Sequence, residues 1–204
     1  MTETGTETAK SRRSGLREAT RRAVRAEIAD AAMTLFMERG FEETTVEQVA
    51  AAVGMSGRSV FRYFATKEDM VVGSMEQVGH ELAAALRARP ADEPVWEALR
   101  RAFDEPLRAL ESDGGLALAR TTLLATTPSL RAAQQHKHAE WNALLAPAVV
   151  DRLTGPAATR EYQARAVVAA VLACLDVAVE QWTAAKGTQP LDALLDTAIA
   201  AIRE

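Results

Sequence analysis

The sequence is poor in cysteine and in long apolar segments. Cys174 is its only cysteine, which excludes an intramolecular disulfide and is typical of a reducing compartment. No apolar run approaches the roughly 18 uncharged residues that suggest a membrane-spanning helix. The first residues carry charges with no apolar stretch after them, which does not fit a secretory signal. We therefore expect a cytoplasmic protein without a membrane segment.

The residue patterns that most enzymes need are also missing. The sequence has no nucleophile–base pattern, no phosphate-cradling glycine loop and no cluster of metal ligands. His136, His138 and Glu140 come nearest to a metal site, but the two histidines, two residues apart on a helix, point about 200° apart. His136 and Glu140 alone would be a poor site, so we favour a solvated helix face. We expect no enzymatic activity, no metal and no cofactor.

Aromatic residues make up 5% of the chain, yet three of them lie within the last four positions of GMSGRSVFRYF, residues 54–64. The basic residues are concentrated as well. The formal net charge is −4, but residues 10–25 hold seven basic residues against one acid, and residues 54–67 hold three against none. A local basic patch on an acidic chain is typical of a protein that binds a polyanion with one end only.

Apolar residues recur at helical spacing along most of the chain, and no window alternates with the period of two that strands show. The sequence predicts an all-α protein in three parts. These are a flexible basic arm over residues 1–20, a unit of short helices over residues 21–68, and a helical bundle over residues 69–204. We expect helices near Thr66 to Arg89 (one continuous helix), 95–111, 115–126, 129–153 (bent at Pro147), 161–186 and 191–203.

The unit of short helices has the features of a helix-turn-helix. Residues 45–48, Thr-Val-Glu-Gln, form a capping box that begins a short helix. Gly54 can adopt the left-handed conformation that a tight turn needs. Ser56 can then cap a third helix that runs to about Phe64. Two short helices joined by Gly-Met-Ser therefore predict the geometry of a DNA-binding motif.

The third helix separates its apolar from its charged side chains. At 100° per residue, Val60 and Phe64 point toward the first helix of the unit. Arg58, Ser59 and Arg62 point roughly opposite, with Phe61 and Tyr63 on the flanks. A recognition helix presents such an outward row of cations to the major groove and its bordering phosphates.

The stretch TTVEQVAAAVGMSGRSVFRYFATKEDMV, with the helix before it, resembles the DNA-binding domain of the TetR family of bacterial repressors. The likeness covers roughly residues 21–70. It rests on the Thr cap, the Ala-x3-Gly turn, the aromatic-rich recognition helix and the lysine that follows. The resemblance implies two sets of DNA contacts: to phosphates from Thr45, Ser59, Tyr63 and Lys67, and near base edges from Gly57, Arg58 and Arg62.

Two further residues belong with this DNA-binding set. Phe61 stands where the family commonly has a tyrosine, so we expect packing on a sugar or a thymine methyl instead of a hydroxyl contact. Ser56 caps the recognition helix. The basic arm before the motif leaves two interpretations open: a plain solvated tail, or a flexible arm that reaches into the minor groove.

The second half contains ARTTLLATTPSLRAAQQHKHAEWNALL, which resembles the effector domain of a mostly actinobacterial subgroup that includes regulators of the mycofactocin type. The Thr-Pro-x-Leu-Arg break and the following helix with a tryptophan carry this likeness. The resemblance implies an acyl-CoA-like ligand.

A sensor needs an apolar cavity with a few polar groups. The side chains that could line one are Trp96, Phe103, Arg120, Leu124, Trp141, Leu145 and Cys174, and each could equally be ordinary packing. Arg120 lies among leucines and could pair with an anionic ligand, or with Asp104 or Glu105 of the neighbouring helix.

Residues 161–203 form two helices with more apolar surface than one bundle face can cover, which fits the dimer interface typical of the family. We expect a homodimeric, ligand-responsive repressor that binds a pseudo-palindromic operator and is released by a small apolar effector. The alternative is an activator, or an architectural DNA-binding protein without a ligand.

Overall fold

A computed structural model describes residues 4–113 and 115–203, and over these residues the chain forms eleven α-helices and no strand, which confirms the all-α prediction. The chain divides into two compact units, Met1–Gly73 and Ser74–Glu204. The helices of the first unit are α1 (Thr4–Arg39), α2 (Val46–Ala52), α3 (Gly57–Val60) and α4 (Asp69–Val72). Those of the second are α5 (Met75–Ala88), α6 (Val95–Ala102), α7 (Asp104–Ser112), α8 (Gly115–Thr126), α9 (Pro128–Val150), α10 (Ala157–Ala184) and α11 (Leu191–Arg203).

The first helix is much longer than the sequence predicted. A flexible arm was expected over residues 1–20, but α1 is helical from Thr4 onward, and only residues 1–3 of that arm lie outside the described residues. The prediction relied on the scarcity of apolar residues. Alanine, arginine, lysine and glutamate in this stretch favour a helix, whereas its threonine, serine and glycine residues do not.

The core of the first unit follows the predicted spacing. Ile28, Ala32 and Phe36 recur every fourth residue on α1 and are buried, and the Phe36 ring lies 4.9 Å from that of Phe41. Gly40 ends α1 with a φ of 89°, a left-handed conformation that favours glycine.

The predicted continuous helix from Thr66 to Arg89 is interrupted. Helix α4 ends at Val72 and α5 begins at Met75, with Gly73 and Ser74 between them, where the chain divides into its two units. The unit boundary therefore falls five residues beyond the expected end of the first unit at residue 68. Adjacent glycine and serine residues are a common cause of breaks in helices, because glycine has little helix propensity.

The second unit packs its helices around one apolar core, with large buried side chains such as Leu82, Leu99, Phe103 and Leu145. The helix predicted over 95–111 is two helices here, broken at Phe103. Pro106 explains the break, because it lacks an amide N–H and its ring clashes with the carbonyl four residues earlier in a continuous helix.

A close approach of α5 and α9 leads to a stability prediction. The indole Nε1 of Trp141 donates to the carbonyl of Met75 at 2.7 Å, which fixes the ring over Gly79. A Cβ atom added to Gly79 would lie 2.4 Å from Cδ1 of Trp141. We expect Gly79→Ala to destabilise the protein by about 1–3 kcal/mol through overpacking, measured by denaturant unfolding at fixed protein concentration.

Gly115 provides the matched control. A Cβ atom there would meet nothing within 4 Å, and its φ is not positive. We expect Gly115→Ala to be neutral or to stabilise by about 0.4–1 kcal/mol, because alanine reduces the freedom of the unfolded chain. Equal stability of the Gly79→Ala variant and the parent would show that the approach of Trp141 is not tight.

Candidate nucleic-acid interface

The turn between α2 and α3 is built by local interactions. The Thr45 hydroxyl accepts from the amide of Gln48 at 3.2 Å, and the Gln48 side chain accepts from the amide of Thr45 at 2.9 Å, so the predicted capping box is present. Gly54 has a φ of 66°, as a left-handed turn requires. The amide of Met55 donates back to the carbonyl of Ala50 at 2.8 Å, which ends α2 and reverses the chain.

Helix α3 is a single turn of α-helix, and the chain after it continues in tighter, hydrogen-bonded turns. Ser56 caps it by accepting from the amide of Ser59 at 3.2 Å. After Val60 the amide of Tyr63 bonds three residues back, to the carbonyl of Val60, at 2.8 Å. The α-helix is thus shorter than predicted, although the hydrogen-bonded turns do extend to Phe64. We refer to residues 57–64 as the recognition segment.

The recognition segment separates its side chains as the helical wheel predicts. Val60 is fully buried and Phe64 is 3% exposed. The outward side chains are Arg58 and Arg62, both exposed, and Phe61, which is 50% exposed. Exposed as well are Ser56 and Thr45, while Gly57, Ser59 and Tyr63 are half-buried. The structure therefore places the predicted DNA-binding residues from Ser56 to Tyr63 on or beside one turn of helix, while Thr45 lies at the start of α2.

Lys67 does not join this outward row. Its Nζ donates to the carbonyls of Phe41 at 2.7 Å and Thr44 at 3.2 Å, and it lies 4.2 Å from the centre of the Phe41 ring. The side chain is turned toward the loop between α1 and α2. The phosphate contact that the resemblance implied for Lys67 is therefore not supported by the geometry of its ammonium group.

Two residues that sequence reasoning did not assign to this site contribute to it. Arg25 of α1 donates through Nη1 to the carbonyl of Tyr63 and stacks on Phe64, with Cζ 4.4 Å from the ring centre. The Glu47 carboxylate lies beside Gly57, since a Cβ atom there would meet its Oε1 at 3.3 Å. In the sequence Arg25 counted only as the last cation of the basic stretch over residues 10–25, because nothing local links it to Tyr63, 38 positions away.

The seven candidate effector residues are not brought together around a cavity. Phe103, Trp141, Leu145 and Cys174 are buried in the core of the second unit. Burial raises the pKa of the Cys174 thiol, which fits an inert packing role. The partly exposed members are Trp96, Arg120 and Leu124.

Arg120 forms an ion pair, but not with either predicted acid. Its Nη2 lies 3.7 Å from a carboxylate oxygen of Asp113, rather than near Asp104 or Glu105. Asp104 is engaged elsewhere, accepting from Arg100 at 2.6 Å. The sequence analysis considered partners on the neighbouring helix, whereas Asp113 precedes Arg120 by only seven residues.

A groove of about 1110 Å³ runs along α9 and α10. Its walls combine alanines, among them Ala139, Ala143, Ala166 and Ala169, with polar and charged side chains, and none of the seven candidate effector residues lines it. His138 lines one part of it, 6% exposed, with Nδ1 3.4 Å from Asp176 and its ring 5.2 Å from that of Trp141. The expectation that His138 lies on a solvated face is therefore wrong.

Comparison with known proteins agrees with this geometry. The family model for bacterial regulatory proteins of the tetR family matches residues 28–72, and that of the MftR C-terminal domain matches residues 93–204. The transcriptional regulator TcmR of Streptomyces glaucescens is 32% identical over 174 residues, which cover 82% of this chain and 76% of TcmR. The chain belongs to the TetR family. It is therefore a DNA-binding transcriptional regulator and not an enzyme.

Other TetR-family members are similar along most of the chain. The regulator MftR of Mycobacterium tuberculosis is 28% identical over 155 residues, covering 76% of this chain and 77% of MftR. The FadR repressor of Thermus thermophilus in complex with lauroyl-CoA has a TM-score of 0.58 at 23% identity, over 88% of this chain and 93% of FadR. The FadR regulator of Bacillus subtilis in complex with stearoyl-CoA has a TM-score of 0.59 at 18% identity, over 87% of this chain and 96% of FadR. These two structures share the fold.

Proposed function

We propose that this TetR-family chain is a cytoplasmic, homodimeric repressor that binds a pseudo-palindromic operator and is released by a small apolar effector. The observation that supports DNA reading most directly is the outward row of Arg58 and Arg62, with Val60 and Phe64 anchored beneath it. Arginine side chains in the major groove can donate two hydrogen bonds to one guanine.

The remaining predicted DNA-binding residues complete the proposed contacts. Ser59, Tyr63 and the helix-capping Thr45 would donate hydroxyl groups to phosphates, which sets the position of the protein on the duplex. Phe61 is exposed without a polar group, so it would pack on a sugar or on a thymine methyl. Gly57 would allow the backbone to approach the base edges.

Dimerisation through α10 and α11 is supported by the apolar side chains they leave uncovered. Tyr162 is 76% exposed and Val177 59% exposed in the single chain, and Ile202 of α11 is 51% exposed. Between Tyr162 and Val177, exposed Ala166, Ala169 and Ala173 continue the same face at helical spacing. Small side chains on such a face let a second helix approach closely. Exposed apolar patches of this kind mark interaction surfaces.

The high mean hydropathy of α10 is also consistent with dimerisation through this helix. By length and composition α10 could cross a membrane, with an 18-residue stretch of mean hydropathy 1.6, of which 39% is buried. Residues such as Val168, Val171 and Leu175 nevertheless pack into the core of the second unit. We therefore propose a core helix whose uncovered face meets a second copy of the chain.

The effector proposal rests on the family resemblance and on the solved FadR complexes. Because those structures contain lauroyl-CoA and stearoyl-CoA, a fatty acyl thioester is the first compound class to test. Of the candidate effector residues, solvent reaches Trp96, Arg120 and Leu124, and we propose that at least one of them contacts the bound acyl chain.

One observation favours a second candidate function. Phe103, Leu145 and Cys174 are buried among other apolar side chains of the second unit, as expected of a DNA-binding protein that takes no ligand. Calorimetric titration with acyl-CoAs of increasing chain length distinguishes the two, with free CoA as the control. Binding that strengthens with chain length supports the effector proposal. If no chain length binds below millimolar concentration, the acyl effector is excluded and the ligand-independent function is favoured.

A further inference from the structure

The recognition segment is too short to hold its own orientation. Only residues 57–60 form α-helix, and a single turn of helix has no stability of its own in water. Its N-terminal end is fixed by the Gly54 turn and the Ser56 cap. Its C-terminal end must be held by contacts from elsewhere in the first unit.

Lys67 supplies the first of these contacts. A lysine ammonium group has three N–H donors, and three carbonyl oxygens surround it: those of Phe41 at 2.7 Å, Thr44 at 3.2 Å and Glu42 at 3.5 Å. These carbonyls follow the end of α1, where the helix dipole also favours a cation. The donors are directed at the protein, so none remains for a phosphate.

Arg25 supplies the second contact from α1. It donates to the carbonyl of Tyr63, and its guanidinium stacks on the Phe64 ring. Gly73 leaves room for this arrangement, because a Cβ atom there would come within 2.9 Å of Nη2 of Arg25. Both cations thus act within three residues of the end of the recognition segment, and each also lies over an aromatic ring.

We propose that Lys67 and Arg25 are positioning residues that fix the recognition segment against α1, and that neither cation contacts DNA. The inference depends on the proposed DNA-reading role of that segment. The rotation of the segment about its own axis depends on the burial of Val60 and Phe64. When the contacts of Lys67 and Arg25 are lost, Arg58 and Arg62 keep their charges but are no longer held in one orientation toward the base edges.

The test compares operator affinity and its salt dependence for the parent and for Lys67→Met, with Arg62→Met as the matched control. The operator is a duplex selected by the parent protein, and an unrelated duplex reports non-specific binding. Lys67→Met should bind the operator about tenfold more weakly, which corresponds to the loss of roughly one base contact in the whole dimer complex. Its slope of log affinity against log salt should equal that of the parent, because no phosphate contact is lost. Arg62→Met should show a shallower slope, because it removes a cation that faces the groove and its bordering phosphates.

Two more variants separate positioning from a general loss of fold. Lys67→Arg keeps the charge but replaces the compact ammonium group with a planar guanidinium, which cannot donate to three converging carbonyl oxygens at once. It should weaken operator binding, whereas a phosphate-binding residue would tolerate arginine. Phe41→Leu removes the ring beneath Lys67 without changing any charge, and should lower operator affinity more than non-specific affinity. Circular dichroism confirms that each variant is folded at the assay temperature.

Hydrogen exchange gives an independent measurement in the absence of DNA. The amides of Arg62, Tyr63 and Phe64 should exchange faster in Lys67→Met and in Arg25→Met than in the parent. The proposal is overturned if Lys67→Met flattens the salt slope by about one unit or more, if Lys67→Arg binds like the parent, or if these amides keep their protection. Absence of sequence-specific binding by the parent would instead refute the proposed function.

Discussion

Val177→Glu is expected to produce folded monomers that no longer bind the operator at concentrations where the parent does. Val177 is 59% exposed in the single chain, so a carboxylate there is solvated and leaves the second unit intact. In the proposed dimer the same position is covered by the partner. An unpaired charge buried in an interface costs several kcal/mol, and every 1.4 kcal/mol corresponds to about tenfold in the dissociation constant.

Light scattering gives the mass of the variant, and a gel shift gives its operator affinity. Leu116→Glu is the matched control, because it places the same carboxylate on an exposed apolar residue of α8, outside the proposed interface. The control should remain dimeric and bind like the parent. A Val177→Glu variant that stays dimeric would show that this face of α10 is not the interface.

The second large effect is expected from removing both outward cations of the recognition segment. Each arginine that donates two hydrogen bonds to a base contributes about 1–3 kcal/mol of discrimination, and a dimer carries two copies of each. Arg58→Ala combined with Arg62→Ala should therefore reduce operator binding to the level of unrelated DNA. The fold should be unaffected, because both side chains are exposed and Val60 and Phe64 keep their burial.

Fluorescence anisotropy on operator and unrelated duplexes measures this ratio. Arg108→Ala is the control, since it removes a side chain of α7 that is 67% exposed and lies in the other unit. The control should retain the parental preference for the operator. If the double variant also retains it, the exposed arginines do not read the sequence.

The helix-turn-helix was predictable because its determinants are local. The capping box at Thr45, the left-handed Gly54 and the burial of Val60 all follow from residues within a few positions of one another. The helix boundaries of α8 and α11 were likewise predicted, because glycine and proline mark them in the sequence.

The missed features depend on contacts between distant residues. Lys67 bonds to carbonyls 23 to 26 positions away, and Arg25 to one 38 positions away. From sequence both look like cations available to DNA. His138 was assigned to a solvated face for a similar reason, since only the packing of α9 against α10 buries it, with its Nδ1 3.4 Å from Asp176 of α10.

One miss was avoidable. Pro106 lies in the middle of the helix predicted over 95–111, and a proline in a helix interior indicates a break. The extension of α1 to Thr4 was missed because the prediction took the scarcity of apolar residues as a sign of disorder.

Selection of bound duplexes from a random pool by the full-length protein is the most direct test of DNA reading by a dimer. Two identical recognition segments related by a two-fold axis must meet the same face of B-DNA about 34 Å apart. We predict enrichment of one pseudo-palindrome whose half-site centres are one helical turn apart, or a whole number of turns, and no enrichment by the Arg58→Ala, Arg62→Ala double variant. A single unrepeated site, or no common sequence from the parent protein, would contradict the proposed homodimeric operator-binding regulator.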